Sequence, residues 1–216
     1  MAIFYPAPPR ITKPLPRRTL LALAPGLLAG TALAQTATPT PDPRLADRAI
    51  GKAEAPVRVI EFFSLTCSHC ATFHKETLPQ VKTDLVATGR VRMVWRDFPL
   101  DRLALVAAAV SRSLPAERYE GFIGALLSNQ DRWAFTRGDP KEELAKMAML
   151  AGMNRAKFDE VYADEALQRA ILEGRARAEQ EFQVQSTPCF VFNGRTQPGN
   201  MSFETFARHV QEAKPA

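Results

Sequence analysis

Residues 57–70 read VRVIEFFSLTCSHC, and this stretch decides how the rest of the chain is read. Its first half, within Pro56–Ser64, is β-branched and aromatic, which predicts a buried strand. Alternation puts Val57, Val59, Glu61 and Phe63 on one face and Arg58, Ile60 and Phe62 on the other. Its second half places Cys67 and Cys70 around Ser68 and His69, where the strand gives way to a helix. Two thiols at this spacing can hold a metal, form a structural bridge, or exchange disulfides.

The flanks set the context. Residues 71–89, ATFHKETLPQVKTDLVATG, have helical spacing, with Phe73, Leu78, Val81 and Leu85 as the apolar stripe. Pro79 should kink this helix and Gly89 can end it. A second strand is expected over Arg90–Phe98, which makes residues 56–98 a βαβ unit with parallel pairing. Helices are expected over Leu103–Ser113, Ala116–Ser128, Lys141–Ala151, Arg155–Tyr162 and Glu165–Phe182. Pro115, RGDP (137–140) and AGMN (151–154) separate them. Strand character returns at Phe190–Phe192, Asn193-Gly194 signals a hairpin turn, and Ser202–Ala213 reads as a helix capped by Ser202. The domain reading is α/β: residues 51–100 and 184–216 form one domain, interrupted by a helical insertion over 101–183.

The N-terminal residues have a different character. Of the 216 residues, the first 34 carry Arg10, Lys13, Arg17 and Arg18 and no acid. Without them the formal charge falls from +5 to +1, so the basic balance gives no support to nucleic-acid binding. Arg17-Arg18, an apolar run over Thr19–Leu33 and the small-x-small Ala32–Ala34 form an export signal cleaved after Ala34. Both the general secretory and the twin-arginine routes fit, with Pro16 standing where the latter usually has Ser or Thr. A Pro/Thr-rich spacer is expected over 35–50. Export makes disulfide chemistry available to the three cysteines.

Chemistry narrows the use of Cys67 and Cys70. Only a thiolate is nucleophilic, and a cysteine at a helix N-terminus within Cys-x-x-Cys titrates far below the usual range of about 8.5. The unpaired N–H groups and the dipole of the helix favour charge on Cys67. His69, protonated or donating a hydrogen bond, would add to this. Cys70, on the first turn and shielded, would resolve a mixed disulfide. Zinc normally takes four ligands and no second pair is present; a two-thiolate copper(I) site stays chemically open. A structural bridge closing so short a loop would constrain the unfolded chain little. The exchange reading needs neither metal nor cofactor.

Two further features converge on the same place. Glu61 is a carboxylate in an apolar strand, suited to relay a proton to and from Cys70, unless it sits at a wet strand end. Thr187-Pro188 precedes the strand beginning at Cys189. A proline there is consistent with a cis bond that exposes backbone edges, although spacing alone favours a plain loop proline.

Taken together, IEFFSLTCSHC and STPCFVFNG resemble the DsbA-like branch of the thioredoxin superfamily, the periplasmic thiol:disulfide oxidoreductases, over about Val57 to Ala213. The resemblance implies a thioredoxin-like fold, Cys67 as nucleophile, Cys70 as resolving thiol and Pro188 as a cis-proline beside Cys67. It also implies that Thr187 offers its backbone to an extended substrate peptide, with Ser68 alongside. Reduced exported proteins would be the substrates and a quinone-linked membrane protein the recharging partner. Ser68 replaces the proline common in the strongest oxidants of this branch. The same fold run as a reductase or isomerase is therefore the nearest alternative, and a copper(I)- or peptide-binding protein without turnover a more distant one. Cys189 reads as a small buried hydrophobe, with a side disulfide or redox sensing as the alternative.

Overall fold

The computed structural model describes residues 42–214. The expected export signal and the first part of the expected spacer lie outside the described residues. Five strands form one mixed sheet in the order β1-β3-β2-β4-β5. These are β1 (Arg48–Ile50), β2 (Val57–Phe63), β3 (Val91–Asp97), β4 (Cys189–Phe192) and β5 (Arg195–Pro198). Central β2 runs parallel to β3, with Glu61 opposite Trp95, and antiparallel to β4, with Phe62 opposite Cys189. At the edges, β1 and β5 are each antiparallel to their neighbours.

The spacer expected over 35–50 is too long at its C-terminal end. Pro43–Leu45 forms a turn of 3₁₀ helix capped by Asp42, and β1 pairs along β3. Three residues are too few for a strand pattern to show in the sequence; the pairing comes from β3. Behind β1 the chain turns at Gly51, with φ at 91°, where a Cβ would stand 2.5 Å from the carbonyl oxygen of Val91. No other residue type fits so close an approach without moving β3.

The helix after Cys67 is segmented. It comprises α1 (Ser68–Thr72), a wide π-type turn over Phe73–Thr77, α2 (Leu78–Val81) and a second wide turn over Lys82–Val86. The Leu78 N–H bonds the Phe73 carbonyl, five residues back. The five-residue step from Phe73 to Leu78 in the apolar stripe is the extra residue that such a turn absorbs. Phe73, Leu78, Val81 and Leu85 are all buried. The break falls just before Pro79, which has no N–H to give a regular ladder.

Between β3 and β4 lie α3 (Arg102–Arg112), α4 (Ala116–Ser128), α5 (Gln130–Trp133), α6 (Pro140–Leu150), α7 (Arg155–Tyr162) and α8 (Glu165–Phe182). The side chains of Asp101, Asp139, Asn154 and Asp164 cap α3, α6, α7 and α8. α9 (Phe203–Glu212) is capped by Ser202. The short α5 has no counterpart in the sequence reading, because four residues show no periodicity.

The two faces of the sheet feed separate apolar clusters. Val57, Val59 and Phe63 of β2 pack with Cys67, Cys70, Phe73, Phe206 and the buried faces of α3, α4 and α6. Ile60 and Phe62 pack with Cys189, Val191 and Ala178 of α8 on the opposite face. The first cluster runs without a break from the sheet into the helical insert, so the insert has no core of its own. A buried ion pair, Arg112 with Asp97, adds a polar tie between α3 and the end of β3, and Arg112 also donates to the carbonyls of Arg44 and Ala46.

Candidate active site

Cys67 is the residue preceding α1, in extended conformation, and the backbone N–H groups of His69 and Cys70 in the first turn act on its sulfur. Its thiol donates to the carbonyl oxygen of Thr187 at 3.3 Å. The peptide bond between Thr187 and Pro188 is cis, which resolves the choice between a plain loop proline and an irregular one. Pro188 in turn accepts from Gly199 N–H at 2.8 Å, which anchors this loop to the chain just after β5. All three cysteines are free thiols.

The two thiols of the pair are pushed in opposite directions. Cys67 is lowered to about 5, mainly because the Cys70 thiol donates to its sulfur, helped by the Thr187 side chain and the backbone N–H groups of Cys70 and His69. The Thr187 carbonyl favours the neutral thiol, whereas the Thr187 hydroxyl, buried and otherwise unpartnered, favours the thiolate. The donors to sulfur outnumber the single acceptor, so the thiolate prevails. Cys70 has no exposed surface and is raised, first by burial, then by its hydrogen bond to the Cys67 sulfur and by the charges of Glu61 and Cys67.

His69 acts differently from the expectation. Its side chain is exposed and makes no hydrogen bond among the described residues; its backbone N–H is the group that faces the Cys67 sulfur. Ser68 is exposed on the same turn, open to an incoming chain. Glu61 is fully buried on the Cys70 side of the sheet, and both its carboxylate oxygens lie 3.1 Å from His74 Nε2. A wet strand end is thereby excluded.

Sequence reasoning missed two residues. His74, the partner of Glu61, follows Cys70 by one helical turn, but its tie to Glu61 joins a helix to a strand, which spacing alone does not show. Gln130 of α5 is buried and donates to the carbonyl of Leu65 at 2.8 Å and of Cys67 at 3.0 Å. Nothing in the sequence near Gln130 signalled this, since the contact spans more than sixty residues. A second tie runs from the Thr66 hydroxyl to Asp101 at 2.6 Å, so the insert holds the turn ahead of Cys67 at two points.

Cys189 is buried among Ile60, Phe62 and Val191, on the sheet face opposite Cys67 and Cys70. Burial alone raises its thiol to about 11. In this arrangement the strand backbone stands between it and the pair.

A cis-proline beside an acidic Cys-x-x-Cys thiol, on a mixed sheet with a helical insert, defines a thioredoxin-like fold. The thioredoxin family model matches residues 44–212, and the chain belongs to that family. A candidate protein-disulfide oxidoreductase of Rickettsia conorii is 27% identical over 168 residues, 77% of this chain and 60% of that protein. The chain thus spans about three fifths of the length of the curated relatives it matches. The crystal structure of α-DsbA1 from Wolbachia pipientis superposes with a TM-score of 0.71 at 26% identity, covering 81% of this chain and 92% of that one. Chlamydia trachomatis DsbA, at 18% identity and a TM-score of 0.68, shares the fold over 81% of this chain and 96% of its own. The resemblance to the DsbA-like branch read from the sequence extends to the structure. No helix among the described residues is long and apolar enough to cross a membrane.

Proposed function

We propose that this protein is an exported, periplasmic thiol:disulfide oxidoreductase that introduces disulfides into reduced exported proteins through its Cys67–Cys70 pair. The observation that carries the reading is the placement of the two thiols: Cys67 at the start of α1 beside the cis Thr187-Pro188 bond, where its pKa is lowered to about 5, and Cys70 fully buried behind it, where burial raises it. A low thiol pKa stabilises the reduced enzyme, which makes its disulfide a ready electron acceptor, and makes Cys67 a good leaving group.

In the oxidised enzyme, a substrate thiolate attacks Cys67 Sγ and the bond to Cys70 breaks, with its electron pair passing to the Cys70 sulfur. Cys70, buried and unable to hold the charge, takes a proton that Glu61 relays. A second substrate thiolate then attacks the substrate sulfur of the mixed disulfide. Cys67 leaves as a thiolate, the substrate is oxidised by two electrons and the enzyme is reduced by two. Thr187 and Pro188 present a backbone edge beside Cys67, against which an extended substrate segment adds as a strand, with Ser68 at the open side. A quinone-linked membrane protein recharges the pair by the reverse sequence.

The experiment is oxidation of a reduced two-cysteine peptide by the oxidised protein, compared with its Cys67→Ser variant. The parent is expected to form the peptide disulfide stoichiometrically, and the variant to lose this by at least about 10³-fold, as removal of a covalent nucleophile does. Substantial exchange by the variant would remove Cys67 from its assigned role. Stoichiometric copper(I) binding by a parent that oxidises no peptide would replace the reading with a metal-binding one.

A further inference from the structure

A cavity of about 120 Å³ opens where the end of β3, α3 and α8 meet the segment ahead of β1. It shares no residue with the thiol site. Organic ligands usually occupy about 300–1,000 Å³, so this volume suits a small ion with a few waters. Its charged walls are Asp47, Arg96, Asp97, Arg112 and Arg177.

Both acids are already engaged. Asp47 accepts from Arg58 at 3.0 Å through one oxygen and from Arg96 at 2.8 Å through the other. Asp97 accepts from Arg112 Nε through one oxygen and from the Tyr119 hydroxyl at 3.4 Å through the other. The arginines keep donors to spare. Arg112, only 7% exposed, gives Nε to Asp97 and Nη1 to the carbonyls of Arg44 and Ala46. Its Nη2 hydrogen-bonds to nothing among the described residues. Arg177 has neither an ion pair nor a hydrogen bond among the described residues, and it is exposed. Three guanidinium groups therefore line the cavity against two carboxylates, one of which is shared with Arg58 outside it. The cavity carries an excess of positive charge.

Gly174 shapes the opening. It stands in the middle of the 18-residue α8, where glycine is less stabilising than alanine. A Cβ at this position would come near Arg177 Nη2, at 3.8 Å, and near nothing else. Close packing thus does not demand the glycine. What it provides is space beside the Arg177 guanidinium, which a side chain would fill.

We propose that this cavity binds a tetrahedral oxyanion of the phosphate and sulfate class, held by buried Arg112 and by the more exposed Arg96 and Arg177. The planar fork of arginine matches two oxygens of such an ion and stays charged throughout the physiological range. The bound anion would join β3, α3 and α8, and by mass action it would stabilise the folded protein. The same group can arrive as a free ion or as the phosphate of a lipid headgroup. The site is independent of the thiol chemistry.

The test is thermal unfolding of the parent, Arg177→Glu, Gly174→Leu and Arg208→Glu in sodium phosphate, against sodium chloride at equal ionic strength, with calorimetric titration by inorganic phosphate. The melting temperature of the parent is expected to rise by a few degrees once phosphate exceeds its dissociation constant. Arg177→Glu should weaken phosphate binding at least about tenfold, through loss of a charge-assisted contact. Gly174→Leu should fold in chloride and lose the increment given by phosphate. Arg208→Glu makes the same change of charge on the exposed side of α9 and should bind phosphate as the parent does. Sedimentation with phosphatidic acid vesicles but not phosphatidylcholine vesicles, lost in Arg177→Glu, would assign the anion to a lipid headgroup. Binding of phosphate without such sedimentation would assign it to a free ion. Equal stability of the parent in phosphate and chloride would overturn the inference, as would phosphate binding unchanged by Arg177→Glu or weakened equally by Arg208→Glu. Peptide oxidation should be the same in Arg177→Glu as in the parent, so failure here leaves the functional reading standing.

Discussion

The sulfur of Cys67 lies 3.3 Å from the carbonyl oxygen of Thr187, 120 positions further along the chain. That contact brings the end of β2 and the start of β4 together at one reactive atom. Since β2 and β4 are paired neighbours in the sheet, the two loops cannot separate without breaking the central ladder. The nucleophile is therefore held against the strand edge where substrate would add, and its environment is built into the fold.

The lowered Cys67 thiol has a consequence for stability. A group whose pKa is depressed on folding stabilises the folded state above its unfolded value, and that contribution is lost as pH falls through the folded value. For Cys67 the window runs from about 9 down to about 5, and it exists only in the reduced protein. Melting temperatures of the reduced and oxidised forms should thus diverge in favour of the reduced form as pH rises from 5 toward 9. Iodoacetamide labelling of Cys67 should show a midpoint near 5. A midpoint near 8.5, with no pH dependence of the difference in melting temperature, would contradict the site described.

Cys189 should be dispensable for exchange. It faces Ile60, Phe62 and Val191, away from the redox pair. Cys189→Ala is expected to keep peptide oxidation within about twofold of the parent while costing about 1 kcal/mol of stability for the buried sulfur removed. Peptide oxidation assays and urea unfolding check the two halves separately.

Gln130 should matter to stability through the turn it holds. Replacing it by leucine leaves the Leu65 carbonyl without this donor, while the Cys67 carbonyl keeps Ala71 N–H at 3.1 Å. Loss of a buried hydrogen-bond partner costs about 1–3 kcal/mol, measurable as a lower urea midpoint at unchanged slope.

Much of the architecture is local enough to read directly. The alternating apolar run of β2, the helix caps and Asn193-Gly194 each carry a short-range signal, and Asn193 and Gly194 both adopt the positive φ that a tight hairpin turn requires. The cysteine pair is legible for the same reason, since its chemistry follows from four consecutive residues at a strand–helix junction. What escapes the sequence is set by distant partners. β1 exists because β3 offers it an edge, and Gln130 acquires its role from a turn more than sixty residues away. His74 belongs to Glu61 across thirteen residues and a change of secondary structure. His69, conspicuous between the cysteines, sends its side chain to solvent and contributes through its backbone, a distinction that residue identity does not carry.

The direction of electron flow turns on the Cys67–Cys70 pair, in which Ser68 stands in place of the proline common in the strongest oxidants. The direct measurement is the equilibrium of the Cys67–Cys70 pair with glutathione, reduced and oxidised forms being separated by alkylation. A potential well above that of thioredoxin is expected, in the oxidising range near or above about −200 mV, because Cys67 is held as a thiolate only in the reduced state. A potential near the thioredoxin value of about −270 mV would contradict it and make the protein a reductase.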